Sequence, residues 1–175
     1  MGELRSVAWE LGSVFLMQRA VDKLGLKAPP DASAEPGAEG AALDLAASRY
    51  LRNLRYAVAV AQTEGFSIAL FLQPLMGIDG KTYTREELVS FDEKRHKPLG
   101  EFYNIVRRKL RRMNSEFESN PKVCIEDLST VFKDVEQTVY ADNGHLQDGG
   151  NRIVAKNMIS ALIACGTLDD ARSRL

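Results

Sequence analysis

The sequence predicts an α/β fold with parallel strands. Two short apolar segments, residues 66–72 and 123–125, are typical of strands buried in a parallel sheet, because neither alternates regularly with polar residues. Helical patterns precede, separate and follow these segments, and this alternation favours a layered architecture with right-handed crossovers. Two strands leave the edges and faces of a sheet uncovered. We therefore expect the chain to be part of a larger fold.

Length and charge exclude several classes of protein. The chain has 175 residues, which suits one domain, and its 23 Lys and Arg nearly balance 24 Asp and Glu. Nucleic acids and anionic membranes usually select a basic excess, so neither is expected as a partner. The longest apolar run, near 66–76, is shorter than the roughly 20 residues that span a bilayer. No signal-peptide pattern follows Met1, which favours a cytoplasmic location.

The N-terminal segment predicts a helix followed by a linker. Apolar residues three and four positions apart predict a helix over 3–24, within an N-terminal segment 1–25. These residues are Leu4, Val7, Leu11 and Val14. Trp9, at the helix centre, is expected in a core or an interface. Residues 26–42 are rich in Pro, Gly, Ala and acids, and this composition predicts a flexible linker or loop.

The remaining segment, 43–175, carries the other predicted elements. A helix over 43–64 is expected to end at Gly65, and the first apolar strand follows directly. Thr84 and Glu87 have the spacing of a capping box, which predicts the start of a long helix that reaches Met113. Pro98 is expected to break or kink that helix. A last helix, rich in Ile and Val from residue 153, is expected to end at Gly166, with Asn151 capping its start.

Asp142 and His145 are the candidate catalytic residues. They lie three residues apart in a loop before the last helix, so the carboxylate can accept a hydrogen bond from one imidazole nitrogen while the other nitrogen faces a cleft. This is the base half of a nucleophilic triad, in which the carboxylate fixes the tautomer and stabilises the imidazolium. The same spacing also occurs in solvated loop contacts without function. We expect the pair at the carboxyl ends of the strands, where open α/β sheets place their sites.

The residues around this pair resemble the last sequence block of the SGNH (GDSL-type) hydrolases, whose pattern is Y-x-D-x-x-H-L-x-x-x-G-N-x-I-x-A. The matching residues are Tyr140, Asp142, His145, Leu146, Gly150, Asn151, Ile153 and Ala155. Residues 71–74 with Lys81 and Glu86, and residues 125–129 with Phe132, resemble the strand ends that precede this block. The resemblance covers roughly residues 43–165. It implies a partial flavodoxin-like three-layer α/β/α fold and hydrolysis of esters such as acetylated sugars or lipids.

The family nucleophile, in a G-D-S motif, and its oxyanion donors do not occur in this sequence. Ser67 stands at the start of a buried strand rather than on a strand-to-helix elbow, so it is not a substitute nucleophile. The chain thus resembles the C-terminal half of such a hydrolase, with His145 as general base and Asp142 as its orienter. A second hypothesis is a truncated or degenerate, inactive domain that acts in assembly and packs against itself, through an exposed sheet edge, or against another polypeptide.

Other candidate residues receive structural interpretations. Cys124 and Cys165 are predicted to be buried free thiols, which excludes a disulfide scaffold. His96 is expected to be exposed between two basic residues. The basic run 107–112 is interpreted as a solvated helix end, with a phosphate-binding patch as the alternative. Two histidines without clustered carboxylates predict no metal site, and no cofactor is expected.

Overall fold

The computed structural model describes residues 38–91 and 93–167. These residues form four helices and two strands, with helices before, between and after the strands. The elements are α1 (Ala38–Glu64), β1 (Ile68–Leu72), α2 (Arg85–Leu88), α3 (Glu93–Phe117), β2 (Val123–Asp127) and α4 (Asp148–Ala164). The predicted mixture of helices and strands is confirmed. The predicted helix over 3–24, Trp9 and the first part of the predicted linker lie outside the described residues.

Strands β1 and β2 form a parallel sheet, as the sequence predicts. Ile68 pairs with Val123 and Leu72 pairs with Asp127, so the two strands are in register along their whole length. The amide of Leu128 donates to the carbonyl of Leu72 at 2.9 Å, which extends the ladder by one bond beyond β2. Among the described residues the sheet contains only these two strands.

Helix α1 begins earlier than predicted. It starts at Ala38, so residues 38–42 are helical and the prediction of a linker over them is wrong. Those residues include alanines, which are strong helix formers and which the compositional argument counted with the loop residues. The helix ends at Glu64, and Gly65 then adopts a positive φ of 76°, as expected for a glycine that follows a helix.

The predicted capping box at Thr84 is confirmed, but the long helix after it is interrupted. The Thr84 hydroxyl accepts from the amide of Glu87, and the Glu87 carboxylate accepts from the amide of Thr84. Helix α2 nevertheless ends at Leu88, and α3 begins at Glu93. Pro98 lies inside α3, so the break falls before the proline rather than at it.

Helices α1 and α3 pack against each other, and α3 also packs against β2. Apolar side chains from these two helices supply half of the buried hydrophobic residues in the described ranges. On α1 these are Leu43, Ala47, Leu51, Val58 and Ala61, and on α3 they are Tyr103, Val106, Leu110 and Met113. Ion pairs at the rim, Arg55 with Glu116 and Lys109 with Asp44, connect the same two helices. No helix in the described ranges is long and apolar enough to cross a membrane.

Strand β1 is less buried than the sequence predicts, and helix α4 is also poorly buried. Residues 68–71 of β1 are only half-buried, so the prediction of a strand buried on both faces is wrong for the described part of the chain. Gly150 is the only buried residue of α4, and Ile159 and Ile163, one turn apart, are 54% and 61% exposed. Apolar surface of this kind costs roughly 25 cal/mol per Å² when it stays in water.

Cys124 and Cys165 form a disulfide, so the prediction of free thiols is wrong. Cys124 is fully buried on β2, and Cys165 caps the carboxyl end of α4, with 5.6 Å between the two Cα atoms. The sequence could not show this pairing because the cysteines are 41 residues apart and only the packing of α4 on β2 brings them together.

Candidate functional site

The candidate site is a short hairpin between β2 and α4. Tyr140 and Leu146 form an antiparallel bridge, and the amide of Gln147 donates to the carbonyl of Val139 at 2.8 Å. Inside this bridge the amide of Ala141 donates to the carbonyl of His145, also at 2.8 Å. These bonds fold the chain back on itself. They bring Asp142 and His145 to the tip of the hairpin.

At the tip, His145 contacts the carboxylate of Asp142. The imidazole Nδ1 lies 2.8 Å from Oδ2 and 2.9 Å from Oδ1 of Asp142. The backbone amides of Gly144 and His145 each donate to Oδ1 at 2.9 Å, so the carboxylate has a fixed orientation. The structure thus confirms that the two side chains lie within hydrogen-bonding distance. The His145 side chain is 75% exposed, which leaves its Nε2 accessible.

The surroundings of Asp142 favour its ionised form. Partial burial raises the pKa of this carboxyl group, but the hydrogen bonds from the Gly144 and His145 amides and from the imidazole outweigh that effect. The pKa of Asp142 therefore lies below its usual range. A carboxylate that stays ionised accepts the Nδ1 proton of the imidazole, so the neutral ring carries its proton on Nδ1 and offers a lone pair on Nε2.

A small apolar core supports the hairpin from below. Its buried members are Met76, Phe132, Val139 and Tyr140, and Leu146, Ile153 and Val154 pack against them. Gly150, in the first turn of α4, lies so close to the hairpin that an added Cβ would be 2.6 Å from the carbonyl oxygen of Val139. A side chain at position 150 would therefore separate the helix from the hairpin. This contact gives a physical reason for the glycine in the sequence block.

The carboxylate of Glu87, on helix α2, connects that helix to the hairpin and also forms a buried ion pair with Lys81. The Lys81 ammonium lies 3.0 Å from Oε2 of Glu87, and both side chains are fully buried. Oε1 of Glu87 accepts from the amides of Val139 and Tyr140 at 2.9 and 3.1 Å. Burial raises the pKa of Glu87, but the amide donors and Lys81 together outweigh it, so the pKa is lowered. The ionised Glu87 carboxylate thus fixes the backbone that leads into the hairpin.

A second buried carboxylate, Asp79, holds the side chain of Tyr140. Its Oδ2 accepts from the Tyr140 hydroxyl at 2.7 Å, and its Oδ1 accepts from the Tyr83 hydroxyl and from the amide of Lys81. Burial and the neighbouring Asp79 charge raise the pKa of Tyr140, so its hydroxyl keeps the proton that it donates. Asp79 belongs to the loop that leaves the carboxyl end of β1. The hairpin is therefore anchored on the side of the sheet where the strands end.

Sequence reasoning missed Asp79 and the role of Glu87 beyond its cap. The capping box was the only local signal for Glu87, and it gives no sign that the same carboxylate binds residues about fifty positions later. The predicted capping role of Asn151 is wrong. Gln147 occupies the N-cap position of α4. Asn151 lies inside the first turn of the helix, and its side-chain amide donates to the carbonyl of Leu146 at 3.4 Å.

His96 is buried, so the prediction of an exposed histidine is wrong. It is 4% exposed, its ring stacks on Phe91 at 4.8 Å, and it packs on Gly77, where an added Cβ would lie 2.7 Å from the ring. The basic neighbours on α3 suggested solvent, whereas the helix turns His96 towards the loop after β1. A surface concavity of about 430 Å³ adjoins it. Neither Asp142 nor His145 lines this concavity.

The basic run 107–112 lies in the middle of α3, because that helix continues to Phe117. Its interpretation as a helix end is therefore wrong. Arg107 Nε donates to the Ser129 hydroxyl at 2.8 Å, and another guanidinium nitrogen donates to the carbonyl of Ile78 at 3.1 Å. Arg107 thus connects the two loops that follow β1 and β2.

Comparisons with protein-family models, curated proteins and solved structures found no match. Within the ranges 38–91 and 93–167, no group of three or more His, Cys, Asp or Glu side chains could hold a metal ion.

The close contact at Gly150 predicts opposite effects for two neighbouring glycines. Gly150→Ala is expected to lower the free energy of unfolding by about 1–3 kcal/mol, because the new methyl group overlaps the backbone of Val139. Gly149→Ala, where the methyl group would meet only Gln137 at 3.8 Å, is expected to be neutral or stabilising by up to about 1 kcal/mol, since alanine favours helix. Urea unfolding of both variants checks the prediction, and equal effects would contradict it.

The buried Glu87 carboxylate predicts a pH-dependent loss of stability. Glu87→Gln leaves Lys81 buried without its partner, which costs about 3–5 kcal/mol at neutral pH. Because the folded pKa lies below the unfolded value of about 4.3, the carboxylate stabilises the fold above that pH and loses this contribution as the pH falls through the folded value.

The difference between wild type and Glu87→Gln in urea unfolding should therefore be large at neutral pH and should shrink in acid. Glu126→Gln, at an exposed position of β2, is the matched control and should change stability little at either pH. A Glu87→Gln difference that stays constant with pH would show that the charge of Glu87 is not what stabilises the hairpin.

Proposed function

We propose that this chain supplies the His and Asp of a Ser-His-Asp triad in an SGNH-type ester hydrolase. The observation that carries the proposal is the contact of His145 Nδ1 with the Asp142 carboxylate at 2.8 Å, on a ring that is otherwise exposed. An exposed pair of this kind contributes only about 0–1 kcal/mol to stability. Its ordered geometry is therefore better explained by chemistry at Nε2 than by a structural role.

In this mechanism His145 Nε2 takes the proton of a serine hydroxyl as the serine oxygen attacks the ester carbonyl. The same proton then passes from Nε2 to the departing alcohol oxygen, and an acyl-enzyme remains. Water repeats the cycle and releases the acid. Asp142 keeps Nδ1 protonated and stabilises the imidazolium while the proton resides on the ring. The substrate class is an acyl ester, with acetylated sugars or lipids as the proposed examples.

The fold supports this assignment. A parallel sheet with alternating helices is compatible with part of a flavodoxin-like α/β/α fold, which we propose as the complete architecture. Tyr140 contacts Asp79 in the loop that leaves β1, so the hairpin lies near the carboxyl ends of the strands. Ligands of open α/β sheets bind at those ends.

A nucleophile must come from outside the matched region, because the G-D-S motif of the family does not occur in the 175 residues. We therefore expect the 175-residue chain to give no labelling with a fluorophosphonate probe and no turnover of a short p-nitrophenyl ester. A base without a nucleophile and oxyanion donors retains little of the acceleration of a triad. The coding sequence upstream of Met1 is the first place to search for the missing block.

If that sequence encodes a G-D-S block, the extended protein should react with the probe and hydrolyse the ester. His145→Ala and Asp142→Asn should each then lower kcat by about 10⁴-fold or more. Asp148→Asn, which alters a nearby exposed carboxylate, is the matched control and should retain activity. Full activity of the His145→Ala variant would refute the proposed role of His145. Ester turnover by the 175-residue chain would refute the prediction that this chain lacks the nucleophile.

A second candidate function is assembly, and it is favoured by the sheet, which the described residues cover only in part. Residues 68–71 of β1 are half-buried, Phe66 next to the strand is 48% exposed, and β1 pairs on one edge only within the described residues. An open strand edge can add a strand from another chain. We propose a second copy of this chain as the occupant, paired through the free edge of β1.

Light scattering at high micromolar concentration is expected to show self-association of the 175-residue chain. Phe66→Ser should weaken it, because the substitution removes an exposed ring beside the strand edge, whereas Leu88→Ser, at an exposed apolar position on α2, should not. A monodisperse monomer with cooperative thermal unfolding would refute the assembly function. It would also show that this chain completes its own core.

A further inference from the structure

Two buried carboxylates hold Tyr140, and neither belongs to the Asp142–His145 pair. Asp79 accepts the Tyr140 hydroxyl at 2.7 Å, and Glu87 accepts the Tyr140 amide at 3.1 Å. Asp79, Glu87 and Tyr140 are each at most 2% exposed. Tyr140 is thus fixed at its backbone and at the far end of its side chain by two charges that solvent does not reach.

Stability alone explains these charges poorly. A buried ion pair such as that of Lys81 with Glu87 is often replaced by apolar residues without loss of stability, because desolvation offsets most of the attraction. A buried carboxylate that accepts from neutral donors, as Asp79 does, also carries a desolvation cost. Apolar packing is already present, since the Tyr140 ring meets Phe132 edge to face at 5.4 Å within the core below the hairpin. The carboxylates also fix the orientation of Tyr140, because hydrogen bonds restrict orientation more strictly than apolar contacts do.

The constraint on Tyr140 extends directly to the Asp142–His145 pair. Tyr140 pairs with Leu146 across the hairpin, and the next residue, Ala141, donates its amide to the carbonyl of His145. Only one residue separates Tyr140 from Asp142. A shift of Tyr140 therefore moves both sides of the hairpin and changes the approach of the carboxylate to the imidazole.

We infer that Asp79 and Glu87 are positioning residues for the Asp142–His145 pair and that they act through Tyr140. They touch neither member of the pair in the hydrogen bonds described above. The catalytic meaning of the inference rests on the proposed function. Its structural content, a coupling between a buried hydroxyl and the exposed imidazole, does not.

Tyr140→Phe in the 175-residue chain tests the coupling, because it removes one hydroxyl and keeps the ring. Hydrogen exchange of the Gly144 and His145 amides, which donate to Asp142, should accelerate by about fivefold, the effect of losing one ordinary hydrogen bond on a local opening equilibrium. Ring ¹⁵N shifts of neutral His145 should show a smaller population of the Nδ1–H tautomer. Asp142→Asn provides the reference for loss of that preference.

Tyr103→Phe is the matched control. Tyr103 is also buried, at 1% exposure, and its hydroxyl donates to the carbonyl of Gln73, a residue outside the hairpin, at 3.4 Å. This variant should leave both readouts at His145 unchanged. Glu87→Asp, which shortens the carboxylate that holds the Tyr140 amide, should reproduce the effect of Tyr140→Phe and serves as the second variant if that protein does not fold.

Unchanged exchange and tautomer populations in Tyr140→Phe would overturn the inference, and so would an equal change in Tyr103→Phe. Neither readout uses ester turnover. A failure of the proposed hydrolase function would therefore appear only in the activity assays, and a failure of the positioning role would appear only at His145.

Discussion

The Glu87 carboxylate is the interaction on which the position of the hairpin depends. Its two oxygens accept four hydrogen bonds, from the Lys81 ammonium and from the amides of Thr84, Val139 and Tyr140. A buried carboxylate is costly unless its acceptor positions are filled, so these partners have to arrive together. One side chain thereby joins the start of α2, the loop after β1 and the chain that leads to the hairpin.

The groups that stabilise the hairpin and the proposed catalytic pair lie in different parts of the molecule. The buried charges and the apolar core lie below the hairpin, whereas Asp142 and His145 lie at its exposed tip, where a pair contributes little to folding. Because the support lies in the interior, the tip can remain accessible and still be ordered. A reactive imidazole needs both properties, since its free nitrogen has to meet another group in a fixed direction.

Local patterns in the sequence predicted the helices and strands. The features that the sequence could not predict depend on contacts between residues that are far apart along the chain. The capping box at Thr84, the two strand segments and the proximity of Asp142 to His145 all follow from residues close in sequence. Burial of His96 depends instead on the side that α3 turns towards Gly77. The disulfide depends on α4 crossing β2, and no spacing rule reports that crossing.

Helix α4 is held at its two ends and open in the middle. Its first turn packs on the hairpin through Gly150, and Cys165 attaches its carboxyl end to β2. Between these points Ile159 and Ile163 remain more than half exposed. An apolar surface that covered these isoleucines would bury them without displacing either end of the helix. The proposed catalytic pair and burial of these two isoleucines by another surface are therefore physically compatible, because α4 contacts the hairpin at Gly150, in its first turn, whereas Ile159 and Ile163 lie in its second half.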